Sequence, residues 1–151
     1  MTSNYREAVI LIVEDDVVSF QLAEIVFKKA RITNNLYNVD RGDLALDFLY
    51  KRNGFEDAPT PDLVYMDLHL PRMAGTEVLA AMQADPELSK IPTLMLTGSE
   101  DESSMAVAEE YGALGYVVKP MDQYKILQTY PYNENIRVSL VVSTEDTEPP
   151  E

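Results

Sequence analysis

Four short stretches of this chain carry side chains able to do chemistry together: Glu14-Asp15-Asp16, Asp67, Thr97-Gly98-Ser99 and Lys119-Pro120. Each follows an apolar run, AVILIV (8–13), DLVYM (62–66), IPTLML (91–96) and GYVV (115–118). A carboxylate is costly to bury unpaired, so a strand that stops on one places it at a useful edge. Carboxylates gathered within about 4 Å repel by roughly 4 kcal/mol per pair at an effective dielectric near 20. Such crowding is tolerated when a cation sits among the acids. Oxygen donors without cysteine select a hard ion, Mg²⁺ ahead of Zn²⁺. Mg²⁺ keeps open positions for phosphate oxygens, and one hydroxyl and one ammonium complete a pocket suited to a phosphoryl group.

The elements that must position these residues follow from the pattern. The β-branched run 8–13 reads as a strand buried on both faces. A helix runs to about Ala30 with Leu22, Ile25 and Val26 inward, LYNVD (36–40) is a second strand, and Asp43–Tyr50 a helix with Leu46 and Leu49 inward. Helices are also predicted over 75–84, 101–111 with a stop at Gly112, and 122–129. Five strands alternating with five helices predict an α/β fold, a doubly wound five-stranded parallel sheet. In such sheets the site lies beyond the carboxyl ends of the strands, where all four stretches fall.

Composition narrows the function further. The chain has 151 residues, 46% of them apolar and 25% charged, which suits one soluble domain. A net charge of −14 argues against nucleic acid or an anionic membrane as a direct partner, since both require basic patches. No apolar run approaches the roughly 20 residues that span a bilayer and no cysteine is present; no leader peptide is expected, and a cytoplasmic location is expected with it.

VEDD (13–16), MDLHLPRMAG (66–75), LTGS (96–99) and YVVKP (116–120) together resemble a response-regulator receiver domain over roughly residues 8–130. The intervals from Asp67 to Thr97 and from Thr97 to Lys119 are typical of that family. The resemblance implies the flavodoxin-like strand order 2-1-3-4-5, which the pattern alone does not give. It implies that Asp67 is the phosphoacceptor for a sensor histidine kinase, in a phosphoprotein that signals through protein contacts and is not an enzyme. Asp15 would bind Mg²⁺ directly, Glu14 through water, and Asp67 and the backbone carbonyl of His69 would complete the shell. Lys119 would pair with Asp67 and then with phosphoryl oxygens. Thr97 would turn its hydroxyl onto the phosphate, and Tyr116 would rotate into the space that Thr97 vacates. A cis Lys119–Pro120 peptide is implied as well.

Plainer readings stand beside these. Asp16 reads as a helix cap, the His69 ring as solvent-facing, and Tyr116 is open between a switch and a static core aromatic. A haloacid-dehalogenase-like phosphatase or phosphotransferase also ends a strand on Asp, but has a second Asp where His69 stands here. A phosphorelay intermediate is a further alternative. A dinucleotide binder would need GxGxxG, which is absent.

The loops GFEDAPTPDL (54–63) and DPELSKIP (85–92) resemble single-domain regulators that partner bacterial phytochromes. No output domain is expected after the receiver (1–130). Receivers close on a long helix, yet YPYNEN (130–135) cuts it here, and IRVSLVVS alternates with a period of two. Residues 131–143 are therefore expected to form an extended arm that makes a homodimer, and 144–151 an acidic disordered tail.

Overall fold

The computed structural model describes residues 8–30, 35–98, 106–107 and 109–122. Its elements are β1 (Val9–Val13), α1 (Val17–Ala30), β2 (Asn35–Val39), α2 (Gly42–Tyr50), β3 (Leu63–Asp67), α3 (Gly75–Gln83), a 3₁₀ turn (Leu88–Lys90), β4 (Thr93–Thr97) and β5 (Gly115–Val118). All strands are parallel, in the order β2-β1-β3-β4-β5. A helical stretch at 106–107 and 109–110 ends before Gly112, the predicted stop. The helix expected over 122–129, the arm and the acidic tail lie outside the described residues.

Side chains that alternate along each strand divide the core in two. Leu11, Val13, Val64, Met66 and Met95 pack with α2 and α3 on one face. Ile10, Ile12, Leu63, Tyr65, Leu94, Leu96 and Val117 pack with Ala23 and Phe27 of α1 on the other. Continuing that alternation places Glu14, Asp67 and Lys119 on the α1 side, each just at or beyond its strand's carboxyl end. Thr97 and Tyr116 fall on the opposite parity, Tyr116 in register with Met95 and Thr97 with Val118.

Two expectations need adjusting. Leu22 and Ile25 are 40% and 52% exposed, and α1 instead buries Ala23 and Phe27. The Phe27 ring meets the Tyr65 ring edge-on at 5.6 Å, and seating this large side chain turns the helix away from the expected face. The 3₁₀ turn before β4 was not expected. The Asp85 carboxylate accepts from the backbone N–H of Glu87 (2.8 Å) and Leu88 (3.1 Å), which folds the segment into a turn.

The loop from β3 to α3 is held by close backbone approaches. A Cβ on Gly75 would lie 2.2 Å from the Asp67 carbonyl oxygen, and one on Gly42 2.2 Å from that of Met73. Only glycine fits at either place. Gly75→Ala is therefore expected to cost about 2 kcal/mol in urea unfolding despite alanine's better helix propensity. Gly98→Ala, where a Cβ meets nothing within 4 Å, should change stability by less than about 0.5 kcal/mol. Equal effects of the two substitutions would refute the packing argument.

Candidate functional site

The carboxyl ends of β1, β3 and β5 converge on one ammonium group. Lys119 Nζ donates to Asp67 Oδ2 at 2.8 Å and to Glu14 Oε1 at 2.7 Å. Both carboxylates are buried, whereas the lysine side chain stays 23% exposed. Because β4 lies between β3 and β5, the lysine must reach across it, and its backbone is tied down by Lys119 N–H donating to the Thr97 carbonyl at 2.7 Å. The Lys119–Pro120 peptide is cis. The pairing of Glu14 with Lys119 was not foreseen from the sequence.

The remaining positions follow from local backbone. Asp67 Oδ1 accepts from the His69 N–H at 3.0 Å, so each carboxylate oxygen has one fixed donor. His69 itself is exposed. Thr97 is buried at the end of β4, and Tyr116 is 39% exposed and so lies outside the buried core. Asp16 caps α1: its carboxylate accepts from the Ser19 hydroxyl at 2.7 Å, its carbonyl from Phe20 N–H at 3.0 Å. The Ser19 hydroxyl, then the backbone N–H groups of Ser19 and Val18, hold the Asp16 carboxyl below the ordinary range. It is a cap and stands apart from the acidic cluster.

That cluster comprises Glu14, Asp15 and Asp67, with ligand oxygens all within 4.8 Å of one another. Glu14 and Asp67 are buried and Asp15 is exposed, so the group is open to solvent on one side. A donor set made only of carboxylate oxygens suits a hard divalent cation.

Electrostatics explain why Lys119 matters before any cation binds. Burial raises the Glu14 pKa above its ordinary value, only partly opposed by its hydrogen bond with Lys119. Burial also works against the Lys119 ammonium, but its bonds to Asp67 and Glu14 outweigh this and raise its pKa. A raised folded-state pKa stabilises below the group's unfolded value, and that stability is lost as pH climbs through the folded value. For Glu14 the loss begins above about 4.5, so at neutral pH this charged carboxylate depends on the lysine. Lys119→Met, without divalent ions, is expected to lose about 2 kcal/mol at pH 7, less than a fully buried pair because the site is open. The deficit should shrink as pH falls toward 4.5 and Glu14 takes up a proton. Chemical denaturation across that range checks it, and a pH-independent deficit would refute the charge explanation.

Known proteins resemble this chain in sequence and in fold. The sequence profile described as the response regulator receiver domain matches residues 10–130. The response regulator Rcp1 of Synechocystis sp. is 34% identical over 123 residues, covering 80% of this chain and 84% of Rcp1. The crystal structure of the Mn²⁺-bound form of Rcp1 aligns with a TM-score of 0.70 at 32% identity, over 80% of this chain and 87% of that one. The bacteriophytochrome response regulator RtBRR aligns with a TM-score of 0.75 at 27% identity, over 93% and 90% of the two chains. With the matched profile spanning every strand but the first residue of β1, the chain belongs to the response-regulator receiver domain family and is a regulator of two-component signal transduction.

Proposed function

We propose that Asp67 accepts a phosphoryl group from the phosphohistidine of a sensor kinase. The observation that carries this reading is the Asp67 carboxylate at the end of β3, within 2.8 Å of Lys119 and in one cluster with Glu14 and Asp15. A carboxylate oxygen of Asp67 attacks phosphorus, the P–N bond to the kinase imidazole breaks, and the imidazole leaves as the neutral base after taking up a proton. The product is an acyl phosphate. Lys119 offsets charge on the phosphoryl oxygens as it had offset charge on Asp67, and the Thr97 hydroxyl donates to one of them. Tyr116, on the same sheet face as Thr97, reports the change by turning inward. Asp15 and Asp67 would hold Mg²⁺ directly, with the His69 carbonyl and, through water, Glu14. The cation supplies further neutralisation of the phosphoryl charge.

The protein acts as a phosphoacceptor and not as a turnover enzyme. Its output is a protein contact or passage of the phosphoryl group to another protein. The likeness to RtBRR, described as a bacteriophytochrome response regulator, supports a bacteriophytochrome as the kinase. The period-two pattern of residues 136–143 supports an arm that pairs two copies of the chain.

With Mg²⁺ and acetyl phosphate, intact-protein mass spectrometry is expected to show one adduct, absent in Asp67→Asn. Labelling that persists in Asp67→Asn would sink the assignment. A chain lacking residues 134–151 is expected to fall to monomer mass in light scattering. An unchanged mass would remove the arm as the dimer contact.

A further inference from the structure

Asn38 lies on β2, the edge strand farthest from β5, in register with Ile12 of β1. Its side-chain nitrogen faces carbonyl oxygens from both strands: Ile12 at 2.9 Å, Val39 at 3.0 Å and Glu14 at 3.2 Å. Three acceptors around one nitrogen fix the amide's orientation, since the opposite flip would set oxygen against oxygen. The amide's two hydrogens are shared among them.

The Glu14 carbonyl belongs to the peptide that leads into Asp15. That peptide is where β1 ends and the acidic loop begins. Behind it, Glu14 N–H donates to the Val39 carbonyl at 3.0 Å; ahead of it, Asp16 N–H donates to the Glu14 carboxylate at 3.0 Å. The carbonyl between these two ties is gripped by Asn38. Rotation of this peptide plane would swing the Asp15 side chain, which is exposed and has no packing to hold it.

We propose that Asn38 is a positioning residue for divalent-cation binding, acting through the Glu14–Asp15 peptide and touching neither cation nor phosphoryl group. The inference rests on the cation reading given above. Groups that orient ligands from behind typically change metal affinity by about 10–100-fold, and an exposed carbonyl grip belongs at the low end of that range.

The test is Mn²⁺ titration, followed by the electron paramagnetic resonance signal of the free ion, on the full chain and on Asn38→Ala. Measurement well below the unfolding midpoint, with circular dichroism confirming the fold, separates affinity from stability. The dissociation constant is expected to rise about tenfold. Metal-free amide hydrogen exchange should also accelerate at Asp16, whose N–H donates to the Glu14 carboxylate, and stay unchanged at Met66 and Met95. Asn38→Thr keeps a residue suited to a strand but cannot span the three carbonyls. It is expected to show the same loss, and it decides the matter should the alanine variant not fold. A Mn²⁺ constant within twofold of the unmutated protein in either folded variant overturns the role of Asn38. If the unmutated protein binds no Mn²⁺, the cation reading itself is overturned, and the positioning role with it.

Discussion

Everything at the carboxyl edge of this sheet depends on one ammonium group shared by two buried carboxylates. Without Lys119, Glu14 and Asp67 would face each other across a low-dielectric pocket with Asp15 beside them. Solvent reaches the lysine but hardly the acids, so the compensation is strong enough to permit the fold and loose enough to be exchanged. A bound cation or an incoming phosphoryl group can take over part of the lysine's work without the acids ever being left uncompensated.

Such an exchange needs a rigid frame, and backbone supplies it. Gly75 lets the start of α3 sit against the Asp67 carbonyl, and Gly42 lets α2 sit against the Met73 carbonyl. Two further ties hold the same loop, Leu68 N–H donating to Leu96 at 3.0 Å and Gly75 N–H to Leu68 at 3.2 Å. The acceptor's main chain is thereby fixed to both neighbouring strand and following helix. Its carboxylate is held separately, by His69 and Lys119.

Much of this was legible in the residues. Apolar runs ending on Glu14, Asp67, Thr97 and Lys119 gave the strands, and the parallel arrangement followed from the helices between them. Which face each side chain takes was not legible. A run such as VILIV is apolar on both sides, so alternation carries no polarity signal, and the shared face of Glu14, Asp67 and Lys119 appears only with the register. For the same reason the ion pair of Glu14 with Lys119 is not legible in the residues, and it stands beside the ligand role that the resemblance implies for Glu14. On α1, Leu22, Ile25 and Val26 form a plausible inward stripe by spacing, yet only Val26 packs against the core, and Ala23 and Phe27, its ring against Tyr65, take the buried positions. Asn38 gave no signal at all, because an asparagine in a short edge strand reads as solvent-facing.

The distance along the chain between the two halves of the ion cluster has a consequence for synthesis. Lys119 is made 52 residues after Asp67, which at about 5–20 residues per second is a delay of roughly 3–10 s. During that interval the nascent polypeptide carries both acidic segments without the ammonium that pairs them in the fold, and β4 is without its β5 neighbour. Arrival of β5 delivers the ammonium and pairs the β4 edge in the same event, so the counter-charge reaches the acids with the strand that completes the sheet.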